Sequence, residues 1–170
     1  MNCIQLSILT AVLDGHRDAL RTVLAGLPTE HASPFARVAG THNGRWVVLD
    51  TAASPDAPRR VGGVPRPMLM CSAVIDRSAD DWLANLLEEL GGDADRIWGH
   101  CVGWPVGANR VSFLLEHRVQ PSLAFATWNA PVDEVREALA LHARMSALAV
   151  RSRAMTAAQL HAALDKALAP

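Results

Sequence analysis

Two hydrophobic periods alternate along this chain, and their order limits the folds open to it. Ile4, Leu6 and Ile8 alternate with Cys3, Gln5 and Ser7, which predicts a strand over 3–12. Leu20, Val23, Leu24 and Leu27 then recur at i, i+3, i+4 and i+7, the stripe of an amphipathic helix that Pro28 ends. Ser33-Pro34 signals a turn, and 35–50, rich in aromatic and β-branched residues, reads as a second strand. Residues 51–67 are dense in proline and glycine and are expected as a flexible loop. A third strand follows over 68–76. Ser78 with Asp81 resembles a capping box ahead of Leu83, Leu86, Leu87 and Leu90, and Gly91-Gly92 stop that helix. Residues 96–104 read as a fourth strand. The order β-α-β-β-α-β is that of the ferredoxin-like split βαβ arrangement, an α+β fold with both helices on one face of an antiparallel sheet.

Additions follow this core. Asn109–Arg118 reads as a short helix and Ser122–Trp128 as a fifth strand. Val132, Val135, Leu139, His142, Met145 and Ala149 trace one stripe of a long helix. Thr156 with Gln159 makes another capping box, opening a C-terminal helix over 156–170. At 170 residues the whole span 1–170 is expected to form a single domain with a sizeable core. A ferredoxin-like sheet leaves one face uncovered by its own helices, and an apolar face left bare is buried by a partner; a homodimer is the expectation.

Composition narrows the function classes. A net charge of −1, with Lys166 the only lysine, argues against a nucleic-acid or anionic-membrane surface. No apolar run is long enough to span a membrane, and no secretory signal pattern opens the chain. Cys3, Cys71 and Cys101 are odd in number and far apart, as expected of buried thiols in a reducing cytoplasm. No CxxC or HExxH spacing marks a local metal site.

Chemistry concentrates in the second strand. His42 is a candidate general base or acid near neutral pH, and Arg45 a candidate partner for an oxyanion. Strand alternation sends them to opposite faces, unless a bulge at Gly44 re-aims one of them. Against this stands a plain structural role: a histidine bonded to backbone, and an arginine paired with Asp50 or Asp76. Trp46, Trp98 and Trp104 are candidates to line an apolar cavity, although such residues more often fill a core. His100, His117 and His142 are the candidate axial ligands should the chain hold haem. His117 is already explained as a cation at a helix C-terminus.

The segments Phe35–Leu49, Leu69–Asp76, Asp95–Pro105 and Val132–Leu141 together resemble an uncharacterised bacterial family. That family shows a His-Phe-Ala-Arg-Trp strand, a strand ending in Asp-Gly-Ser, and a Gly-Tyr-Pro turn. His42, Arg45, Trp46, Asp76, Gly103 and Pro105 stand at matching positions. Asn43-Gly44, Arg77 and Trp104 depart from the pattern. The resemblance implies the dimeric α/β-barrel superfamily, whose members include cofactor-free monooxygenases, polyketide cyclases and haem peroxidases. The expectation is therefore an enzyme of secondary metabolism acting on a small apolar substrate by acid/base chemistry, as a cyclase, isomerase or monooxygenase-like protein with no cofactor. A haem-binding oxidoreductase and a non-catalytic ligand-binding or assembly module are the alternatives.

Overall fold

A computed structural model describes residues 3–50, 66–120, 130–153 and 155–168. Most of the expected loop 51–67 and the expected strand Ser122–Trp128 lie outside the described residues. The chain divides into two compact units, Met1–Asn129 and Ala130–Pro170.

The first unit is built on β1 (Ile4–Ala11), β2 (Thr41–Leu49) and β3 (Met68–Ile75), an antiparallel sheet in the order β1-β3-β2. Alternation in β1 and β3 is strict. Leu6, Ile8, Leu69, Cys71, Ala73 and Ile75 are buried, while their neighbours in sequence are half-buried on the opposite face. The register sets Ile4 opposite Ile75, Ile8 opposite Cys71 and Gly44 opposite Ala73, so one face of all three strands enters one core. Burial of these side chains supplies the main cohesion, about 1.5–3 kcal/mol for each large one.

Among the described residues five α-helices and a 3-10 turn (Glu30–Ala32) join the strands: α1 (Arg17–Ala25), α2 (Pro34–Arg37), α3 (Ala79–Leu90), α4 (Gly92–Trp98) and α5 (Arg110–Glu116). Leu20 of α1, Trp82, Leu83 and Leu86 of α3, Ile97 and Trp98 of α4, and Leu114 of α5 join the same core as the strands. The Ser78 cap forms as expected: its hydroxyl accepts from the Asp81 N–H at 3.2 Å. Gly91 ends α3 with φ +51°, a conformation that a side chain disfavours.

The fourth strand expected over 96–104 is not formed. Ala94, Ile97, Trp98 and Cys101 are buried at i, i+3, i+4 and i+7, a helical stripe, and the segment folds as α4 followed by a turn. The outer edge of β1 is instead satisfied piecewise. Leu13 N–H donates to the His100 carbonyl and Val102 N–H to that of Ala11; further along, Leu9 N–H donates to His117 and Val119 N–H to Ser7. Single bridges, Val12 with Cys101 and Ile8 with Arg118, thus stand where a continuous strand was expected. Among the described residues the sheet has three strands. The second strand also starts later than its sequence suggests. Pro34 opens a helical turn, a position where its missing N–H costs nothing, and extended backbone begins only at Thr41.

The second unit is a pair of helices, α6 (Val132–Ser152) and α7 (Ala157–Leu168). The capping box forms reciprocally: Thr156 N–H donates to Gln159 Oε1 at 2.9 Å, and Gln159 N–H to Thr156 Oγ1 at 3.4 Å. The protected positions of α6 are Val132, Val135, Leu141, Met145 and Leu148, so the expected stripe holds at Val132, Val135 and Met145, while its Leu139, His142 and Ala149 are exposed. Among the described residues no helix is long and apolar enough to cross a membrane.

Candidate functional site

The sheet ends at a cluster made by one residue from each strand or its extension. β2 holds an irregularity at its start: Thr41 pairs with Ile75 and Asn43 with Val74, so His42 is the extra residue of a bulge. The bulge lies at the histidine itself, and Gly44, the glycine that suggests one in sequence, pairs regularly with Ala73. Packing explains its position. The Thr41 side chain is pinned inward, accepting from the Trp82 indole at 2.8 Å while donating to the Val38 carbonyl at 2.7 Å. With Thr41 held in the core, the following residue is displaced toward the sheet's end.

There His42 meets Asp76 and Cys3. His42 Nε2 lies 2.6 Å from Asp76 Oδ1, and the two side chains are only 13% and 11% exposed. Cys3 Sγ stands 3.4 Å from the same Nε2 and 3.5 Å from the same Oδ1. The antiparallel register explains the meeting: Ile4 opposite Ile75 sets Cys3 and Asp76 side by side one step further along. Asp76 is held from behind, since its N–H donates to the Gly40 carbonyl at 2.9 Å. Gly40 has φ +77°, and a Cβ there would press on the Asp76 and Arg77 side chains at 3.3–3.5 Å.

A carboxylate only accepts, so the hydrogen of the short contact is carried by Nε2. The Cys3 thiol is pushed above its ordinary value, first by burial, then by its hydrogen bond to Asp76 and the charge on that carboxylate. It therefore stays protonated at neutral pH. A cysteine nucleophile with a relay behind it needs thiol and carboxylate on opposite ring nitrogens. Here both approach Nε2, which excludes that relay in this arrangement.

The other expected site residues lie elsewhere. Arg45 is exposed and lines a cavity of about 250 Å³ with Leu24, Glu30, Phe35, Gly44 and Trp46. His42 is not among its lining residues, so this cavity does not bring His42 and Arg45 together. Asp50 is engaged by Arg17 and Arg21, and Asp76 by His42; among the described residues neither pairs with Arg45. Trp98 is fully buried in the core. Trp46 packs on Phe35 with ring centroids 4.0 Å apart, and Trp104 stacks on Trp98 at 5.4 Å. Trp104 also donates to Asp95 at 2.8 Å.

The three candidate haem ligands are separate. His100 faces His16 across a surface contact, Nδ1 to Nδ1 at 3.0 Å; burial and the second ring lower its basicity. His117 Nδ1 donates to the Phe113 carbonyl at 2.8 Å, and its ring lies on that of Phe113. His142 is exposed on α6.

Comparison with protein-family models, with curated proteins and with solved structures gives no match. The site is therefore known by its own geometry alone. Of its members, His42 stood out in sequence as a titratable group inside a strand. In the sequence Asp76 reads as a partner for Arg45 rather than for His42, and Cys3 reads as a buried thiol. No local spacing links residues 3, 42 and 76; the pairing of β1 with β3 is the signal that joins the first to the last.

Proposed function

We propose that the protein is a small-molecule enzyme whose proton-handling group is His42, acting through Nδ1 and held by Asp76. The observation that carries this reading is the 2.6 Å contact between His42 Nε2 and Asp76 Oδ1 on a strand bulge. A carboxylate behind one ring nitrogen fixes the tautomer, orients the imidazole and stabilises the cation formed when the other nitrogen takes a proton. Bulges re-aim side chains at such positions. The substrate class in this reading is a small, largely apolar compound with a proton made acidic by a carbonyl, as in cyclisation or isomerisation. Arg45 and Trp46 belong to a separate binding cavity in this scheme and are not the oxyanion partner of His42.

The reading includes a ferredoxin-like platform related to the dimeric α/β-barrel superfamily, supported by the order β1-β3-β2 and by the two short segments along the free edge of β1. A deuterium-exchange screen tests the chemistry. Small ketones and β-dicarbonyl compounds are incubated in D₂O with the chelator-treated protein and followed by NMR. Exchange by the wild type that falls at least tenfold in folded His42→Gln and Asp76→Asn variants is expected. Exchange that His42→Gln retains in full overturns the assignment.

A further inference from the structure

The cluster at the end of the sheet has a second capacity that acid/base chemistry does not use. Its three donor atoms are a thiol sulfur, an imidazole nitrogen and a carboxylate oxygen, all within 4.8 Å of one another. They converge on one point rather than forming a line. Tetrahedral zinc, with Zn–S of about 2.3 Å and Zn–N and Zn–O of about 2.0–2.1 Å, requires S···N and S···O separations of about 3.5 Å. The two sulfur edges of this triangle already measure 3.4 and 3.5 Å. The third edge, now closed by a hydrogen bond at 2.6 Å, has to open by about 0.8 Å to reach tetrahedral length.

The geometry points to Cys3, His42 and Asp76 as an open site for a thiophilic divalent cation of the zinc class. A sulfur, a nitrogen and an oxygen ligand suit zinc or cobalt(II) and do not suit calcium or magnesium, which take oxygen ligands. Three protein ligands leave the fourth position to water, the pattern of reactive rather than structural zinc. Proton balance is simple. The Cys3 thiol loses its proton to solvent, Asp76 remains a carboxylate, and the imidazole stays neutral as its hydrogen moves from Nε2 to Nδ1. About one proton is released for each ion bound.

This inference goes beyond the acid/base reading and does not depend on it. With the ion in place Nδ1 carries the hydrogen, so His42 is no longer a base. Ion-bound and base-competent forms are alternative states of one site, and added zinc suppresses any turnover that uses His42.

The test uses the full chain stripped with a chelator and then titrated with cobalt(II). One equivalent bound, with a thiolate-to-cobalt charge-transfer band and visible bands of four-coordinate intensity, is expected. Cys3→Ser abolishes the charge-transfer band, and His42→Gln and Asp76→Asn each weaken binding at least tenfold. His100→Gln, at the separate His16–His100 contact, leaves all of this unchanged. X-ray absorption of the zinc-loaded wild type, which needs no variant, shows one sulfur scatterer with nitrogen and oxygen. A spectrum without sulfur, a band that survives Cys3→Ser, or affinity that none of the three substitutions alters overturns the proposal. The deuterium exchange above is read with chelator present, so failure of one proposal leaves the other measurable.

Discussion

Replacing Gly44 by alanine drives a methyl group into the Phe35 ring. A Cβ built on Gly44 falls 2.8 Å from Phe35 Cε1 and closer still to Cδ1 and Cγ. Carbon atoms pack best at about 3.5–4.0 Å, so the ring has to retreat by roughly 1 Å. It has little room: Trp46 lies against it with centroids 4.0 Å apart, and Trp82 stacks parallel at 6.1 Å. Overpacking of this kind costs about 1–3 kcal/mol. Alanine recovers part of that, about 0.5–1 kcal/mol, because glycine is the poorer strand residue. So close an approach puts the clash in the upper part of that range, about 2–3 kcal/mol, so the net loss is about 1–2.5 kcal/mol, and at roughly 2–4 °C per kcal/mol for a chain of this size the melting point drops by about 2–10 °C. Thermal and urea unfolding followed by circular dichroism measure it. The double variant Gly44→Ala/Phe35→Leu should lose clearly less than the sum of the two single changes, because the clash is removed along with the ring. A Gly44→Ala protein as stable as the wild type would refute the close approach of Phe35 to the strand.

Further outcomes follow from other parts of the structure. His100 is less basic folded than unfolded, so the unfolded chain binds more protons as pH falls below about 6.5; stability declines there, levels off below the folded value, and declines less in His100→Gln, as urea midpoints between pH 5 and 8 will show. Cys71 and Cys101 are buried, with thiols pushed up to about 12 and about 11, so native alkylation mapped by mass spectrometry should label half-buried Cys3 first; faster labelling of Cys71 would contradict the core described here. The homodimer expected from the sequence requires light scattering to report twice the chain mass at micromolar concentration, and a monomer there removes it.

Much of the framework was legible because it is periodic. β1 and β3 alternate without interruption, α1 and α3 carry clean stripes, Ser78 caps α3, and the capping box of Thr156 and Gln159 forms at the expected residues. The failures have specific causes. Arg96-Ile97-Trp98 looks like strand when read alone, and the helix appears only when Ala94 and Cys101 are counted in the same stripe. Pro34 reads equally as a turn or as the first residue of a helix. On α6 the apolar residues outnumber the protected positions, so the expected stripe holds at Val132, Val135 and Met145 but gives way to Leu141 and Leu148 where Leu139, His142 and Ala149 are exposed. The candidate site was half legible. His42 announced itself as a titratable residue within a strand, but its partners, just beyond the ends of β1 and β3, are 39 and 34 residues away in sequence. The bulge that aims it depends on the Trp82–Thr41 hydrogen bond, a tertiary contact with no local signature.

A double-mutant cycle on His42 and Asp76 tests the central claim most directly. Urea unfolding of the wild type, His42→Ala, Asp76→Ala and the double variant, all with chelator, gives the coupling between the two side chains. A largely shielded, charge-assisted contact of 2.6 Å should couple by about 1–3 kcal/mol. Additive effects, with no coupling beyond about 0.3–0.5 kcal/mol, would mean that His42 and Asp76 do not act as one unit.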